Sequence, residues 1–126
     1  MELMPAQCPV ETTLQVIGGK WKPLIIFYLL QGTQRFNELR RRLPQVTQQM
    51  LTLQLRELER DGVVRRHVYA QVPPKVEYSL TELGRSLEPI LLMMLEWGER
   101  FGRQRAGQEE PRTKSQEPKT GVPVEP

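Results

Sequence analysis

Apolar residues recur at helical spacing along most of the chain, interrupted once where the period changes to two. Pro9 suits the first turn of a helix, where a missing N–H costs nothing. Val10, Leu14 and Ile17 follow at helical spacing, and Gly18-Gly19 stops the segment. A second helix begins near Trp21, with Pro23 in its first turn. Leu24, Ile25, Tyr28 and Leu29 give it a broad apolar face, and Gly32 ends it. A third, shorter helix is predicted from Asn37 to Leu43, closed by Pro44.

The fourth helix carries the clearest signals. Thr47 is its N-cap, placed to accept a bond from an early backbone N–H. Val46 and Leu51 stand where a hydrophobic staple would put them. Leu51, Leu55 and Leu58 form one buried stripe, which leaves Gln48, Gln49, Thr52 and Arg56 on other faces. Asp61-Gly62 is the stop. From Val63 to Tyr69 the side chains alternate, which predicts a strand. Ala70 to Lys75, carrying Pro73-Pro74, is a turn, and Val76, Tyr78 and Leu80 mark a second, antiparallel strand. Thr81 then caps a last long helix, which Pro89 is expected to kink. Leu83, Leu87, Ile90, Leu91, Met94, Gly98 and Phe101 make up its apolar band, with Trp97 beside it.

After about Arg103 the character shifts. Pro111, Pro118, Pro123 and Pro126 punctuate a stretch without aromatic residues, which is expected to be disordered. The expected organisation is one folded domain over residues 1–103 and a tail over 104–126. The fold class is mainly α with a small β-hairpin, an α+β arrangement. A short helix, a tight turn and a capped helix, followed at once by a basic hairpin, read as a winged helix-turn-helix.

Average charge adds little, since 18 Lys and Arg face 15 Asp and Glu, but its distribution matters. From Arg35 to Lys75 nine basic residues stand against four acidic ones. An anionic partner would meet the chain there, and double-stranded DNA fits that demand. The first turns of a helix in the major groove reach base edges. Gln48 or Gln49 is suited to the bidentate amide pair with adenine, and Thr52 to a thymine methyl. Arg35, Arg40, Arg41 and Arg56 are suited to phosphates, which fix position without reading sequence. The hairpin tip, with Lys75 and His67, is placed to lie along the backbone or probe the minor groove. Each residue alone reads equally well as solvated surface; their order and spacing carry the argument. The competing function is a winged helix that docks proteins, but protein interface cores are usually depleted of charge.

No Gly-rich phosphate loop, paired-carboxylate arrangement or metal-ligand spacing appears, so neither an enzyme, a cofactor nor a metal is expected. A single cysteine, Cys8, excludes an intramolecular disulfide. Neither a secretory signal nor an apolar run long enough to span a bilayer is evident, so the expected location is the cytoplasm, without a membrane partner.

Particular runs resemble the HxlR-type regulators of the broader MarR-like winged-helix group. They are Cys8-Pro9-Val10, Ile17-Gly18-Gly19-Lys20-Trp21, Arg35-Phe36-Asn37-Glu38-Leu39 and Leu55-Arg56-Glu57-Leu58-Glu59, then Asp61-Gly62-Val63-Val64, Val72-Pro73-Pro74-Lys75-Val76-Glu77-Tyr78 and Leu80-Thr81-Glu82-Leu83-Gly84. The resemblance covers roughly Cys8 to Phe101. It implies a homodimer built by the first and last helices and DNA reading by the helix from Thr47 to Asp61; two such helices related by a two-fold call for a pseudo-palindromic operator. The apolar band itself exceeds what one small domain covers, which makes Leu14, Leu83, Leu87, Leu91, Met94, Trp97 and Phe101 the expected interface. Some members sense electrophiles or oxidants at the cysteine that Cys8 matches. Its place at a helix start points the same way, since the positive end of the helix dipole favours thiolate. Its partner in oxidation would be the other subunit's cysteine or a small thiol.

Overall fold

Proline and glycine punctuation sets the helix boundaries. The computed structural model describes residues 8–108. Helix α1 (Pro9–Ile17) starts on its proline, and α2 (Trp21–Leu29) follows after the Gly18-Gly19 break. Strand β1 (Gln34–Arg35) leads directly into α3 (Phe36–Arg42), and α4 (Gln48–Arg60) comes next. A hairpin of β2 (Val64–Tyr69) and β3 (Lys75–Leu80) precedes the short α5 (Glu82–Arg85) and the long α6 (Glu88–Gln108). The described residues divide into two units, one ending at Leu91 and one beginning at Leu92, within α6.

The first unit holds the hydrophobic core. Ile25, Ile26 and Leu29 of α2 pack with Leu39 of α3 and with Leu51, Leu55 and Leu58 of α4. Val63, Val64, Tyr78 and Leu80 add the root of the hairpin, and Leu91 the start of α6. The sheet order is β1-β3-β2, antiparallel throughout, with Val64 opposite Leu80 and Tyr69 opposite Lys75. The mainly helical winged helix-turn-helix expected from the sequence is the observed architecture.

Three details depart from the expected elements. Strand β1 is an addition: two residues are too few to show alternation, and only pairing of Gln34 with Tyr78 and Arg35 with Glu77 reveals it. Gln34 is buried there and donates from Nε2 to the Tyr28 carbonyl at 2.6 Å. The last helix is not one element kinked at Pro89. Proline has no N–H to give and its ring clashes with the carbonyl four residues back, here Arg85. Helix α5 therefore ends at Arg85 and α6 restarts at Glu88, with Pro89 in its first turn. Lastly, α6 runs on to Gln108, so residues 104–108, expected in the tail, are helical. Gln104, Arg105 and Ala106 are good helix formers, and no proline intervenes before Pro111. The remainder of the expected tail, residues 109–126, lies outside the described residues.

The joint between α4, the hairpin and α5 is tightly made. Gly62 closes α4 at φ +80°, a left-handed conformation that glycine adopts without a Cβ penalty. Thr81 Oγ1 donates to the Gly62 carbonyl at 2.6 Å and accepts from the Gly84 N–H at 3.0 Å. Gly84 is buried so close to this strand that a Cβ would press into the Val63 carbonyl.

Candidate nucleic-acid interface

Helix α4 is divided lengthwise between core and solvent. Leu51, Leu55 and Leu58 are fully buried. At 100° per residue the opposite side carries Gln49, Leu53, Arg56 and Arg60, all exposed. The helix start is fixed as expected: Thr47 Oγ1 accepts from the Met50 N–H at 3.0 Å, and Val46 and Leu51, the staple pair, are both buried. Gln48, Gln49, Thr52, Leu53 and Arg56 border one shallow depression on the solvent side.

The roll of α4 about its axis is pinned by a charge pair. Lys22 of α2 is buried, and its Nζ lies 2.6 Å from Glu57 Oε1. The ammonium holds the Glu57 carboxyl below the ordinary carboxylate range, first through the hydrogen bond and then through charge attraction, with burial opposing. Glu57 thereby faces α2 while Arg56, its neighbour, is exposed.

Two further clefts collect basic side chains. One, of about 500 Å³, runs between α4 and the hairpin; Gln48, Thr52, Arg56, Glu59 and Arg66 rim it over Phe36, Leu55, Val76 and Tyr78. The other brings Arg35 and Arg41 beside Pro74 of the hairpin turn. Arg35 and Arg41 are exposed, whereas Arg40 is half-buried. Arg35 also starts α3, its N–H donating to Glu38 Oε1 at 2.7 Å. Lys75 is less free than the sequence suggests. It lies at the turn end of β3, opposite Tyr69, with Nζ 3.6 Å from Glu77 Oε2 and 4.6 Å from the Tyr69 ring centre. The Tyr69 hydroxyl donates to Glu77 Oε1 at 2.9 Å, and this bond raises the phenol above its usual range. His67 meets Tyr69 edge-on, at 4.3 Å between ring centres.

Two residues of this surface escaped the sequence reading. Arg66 has the same strand phase as buried Val64 and stands opposite Tyr78, so it faces the α4 side of the sheet. Its alternation phase was the available signal. Leu53 is an apolar residue opposite the Leu51–Leu55–Leu58 stripe, where the pattern calls for a polar one.

The expected interface residues part company. Leu91 is buried in the core of its own chain, and half-buried Leu87 packs against that core. Both lie in the turn leading into α6 or in its first turn, next to the fold, so they have little surface left to offer. Leu83 is exposed but sits on α5, apart from α6. Beyond Leu91, α6 exposes Met93, Met94, Trp97 and Phe101, and Trp97 stacks on Phe101 at 5.2 Å. On α1, Val10 and Leu14 are exposed. Cys8 is exposed at the N-cap of α1, and its carbonyl accepts from the Glu11 N–H at 2.8 Å.

A family model described as HxlR-like helix-turn-helix matches residues 16–106. The chain belongs to the HxlR-like helix-turn-helix family. Among its relatives, the Bacillus subtilis protein described as uncharacterized HTH-type transcriptional regulator YdeP is 66% identical over 94 residues, spanning 75% of this chain and 73% of that protein. A solved structure of the redox regulator HypR in its oxidised form is 68% identical, with a TM-score of 0.72, covering 74% of this chain and 96% of that one. A structure of the putative HTH-type transcriptional regulator YtcD is 58% identical, with a TM-score of 0.73, covering 77% and 99%. Like its HxlR relatives, the chain is a DNA-binding transcriptional regulator of the MarR-like type. Nothing in these matches supports the protein-docking alternative. Cys8 lies just outside the span that the family model covers. Among the described residues no helix is long and apolar enough to cross a membrane.

Proposed function

We propose that the regulator acts in the cytoplasm as a homodimer whose two α4 helices enter major grooves of a pseudo-palindromic operator. The observation that carries this reading is the pairing of two surfaces. The solvent side of α4 carries amide and guanidinium groups around Leu53, while α6 exposes a run of large apolar side chains that water does not favour. A two-fold related copy covers such a run with the same residues, Met94, Trp97 and Phe101, and Leu14, exposed on α1, is a further apolar residue open to a partner. Gln49, with Gln48 beside it, hydrogen-bonds base edges, and Arg35, Arg41, Arg56 and Arg66 hold phosphates. Thr47 keeps the first turn of α4 in place. Half-buried Arg40 and tethered Lys75 contribute charge at the rim. Gln49→Ala is expected to lose about 1–3 kcal/mol on the preferred sequence and little elsewhere, whereas Arg41→Ala weakens all duplexes alike. Equal losses for Gln49→Ala on every sequence would refute its base-reading role.

Cys8 is proposed as the responsive group, supported by its exposure at a helix start and by likeness to HypR, a redox regulator. Two Cys8 thiols, one from each subunit, give up two protons and two electrons to hydrogen peroxide, which leaves as two waters while the S–S bond forms. A small thiol replaces the second Cys8 in the alternative mixed disulfide. Either product alters affinity by as much as it favours one spacing of the α4 pair over another. Diamide, which takes up the same two protons and two electrons as it becomes a hydrazine, is the test oxidant. Treatment with it is expected to change operator affinity in the native protein and not in Cys8→Ser. A thiol that reacts without changing affinity would overturn the assignment.

A further inference from the structure

Leu53 is 47% exposed on the outward side of α4, where its own fold leaves about half of it in water. An isolated surface leucine needs no explanation. This one stands at a marked position. Gln49 lies one turn before it and Arg56 one turn after, all three exposed on the same side of the helix. Leu53 and Thr52 share one shallow depression with Gln48, Gln49 and Arg56. The depression thus has an apolar patch enclosed by amide and guanidinium groups.

We propose that Leu53 is a specificity-determining residue that reads the 5-methyl group of a thymine in each operator half-site. The inference rests on the DNA-reading role given to α4 above. Of the groups displayed in the major groove, the thymine methyl is the apolar one, and side-chain carbon is what recognises it. Thr52, assigned that contact from the sequence, is half-buried and flanks the patch; Leu53 projects further out. Four residues of helix rise about 6 Å, and base pairs stack about 3.4 Å apart. Because the groove is inclined to the duplex axis, the thymine lies within about two base pairs of the base that Gln49 reads.

The test uses the full chain and a duplex selected from a random pool. Each thymine of one half-site is replaced in turn by deoxyuridine, which removes only the methyl group. One replacement is expected to weaken binding by the native protein about four-fold, the scale of one buried methyl. The same replacement is expected to leave Leu53→Ala unaffected, and Leu53→Met, which keeps apolar reach, to retain part of the loss. Indifference of the native protein to every replacement, or an equal loss in Leu53→Ala, would overturn the inference while leaving the wider reading intact. A pool from which no duplex is enriched would instead remove the wider reading, and this inference with it.

Discussion

Helices α2 and α6 are both rich in large apolar residues, yet they meet opposite fates. In α2, Ile25, Ile26 and Leu29 are buried by α3, α4 and the sheet of the same chain. In α6, burial ends at Leu91; Trp97, two turns on, is 60% exposed. The contrast teaches that apolar patterning states how much surface must leave water, not which chain covers it. Helix α2 is short and enclosed by elements that follow it closely in sequence. Helix α6 continues beyond Leu91, its last core residue, and there Met93, Met94, Trp97 and Phe101 are exposed. Its methionines, unbranched and adaptable, suit a face that meets an identical copy.

The largest expected effect separates the two helices directly. Ile25→Ala in α2 removes fully buried side-chain volume and is expected to cost about 2–5 kcal/mol in denaturant unfolding. A cost near zero would mean that α2 is not the centre of the core. Trp97→Asp in α6 is expected to leave the helical content of the chain largely unchanged but to halve the mass seen by light scattering at micromolar concentration. Operator affinity should then fall about a hundredfold, because each α4 binds without the help of its twin. Retention of a dimer would place the contact elsewhere. The smallest effect concerns the polar intrusion in α2. Lys22 holds the Glu57 carboxyl below its ordinary range, so this pair stabilises the fold fully above the ordinary carboxylate range. That contribution disappears as pH falls through the depressed folded value. Glu57→Gln is therefore expected to flatten the acid limb of the stability curve, an effect kept modest by solvent around Glu57. An unchanged acid limb would show that the pair does not stabilise the fold.

Much of this contrast was legible in the sequence, and the parts that were not have physical reasons. The cap at Thr47, the staple at Val46 and the stripe at Leu51, Leu55 and Leu58 are local signals, and the structure reproduces them. The break between α5 and α6 was signalled too, by Pro89, but a proline in an apolar band marks either a kink or a fresh start. The clash with Arg85 decides for the latter. Strand β1 was illegible because Gln34 and Arg35 are defined by pairing with Tyr78 and Glu77, far along the chain. The division of the apolar band was hidden for a similar reason. Spacing gives Leu87, Leu91, Met94 and Phe101 one stripe, while only packing shows that Leu91 is buried and Phe101 is not. On the solvent side of α4 the polar residues announced themselves. Leu53 did not, since leucine in a helix reads as core until the face it occupies is known.

One exposed face is proposed to recruit a second copy so that two α4 helices act together on one DNA site. The most direct measurement is the mass of the complex formed with a duplex selected from a random pool. Two chains per duplex are expected, on half-sites whose centres are about 34–36 Å apart or a multiple of that spacing. A single chain bound to one unrepeated site, at concentrations where the complex is saturated, would contradict it.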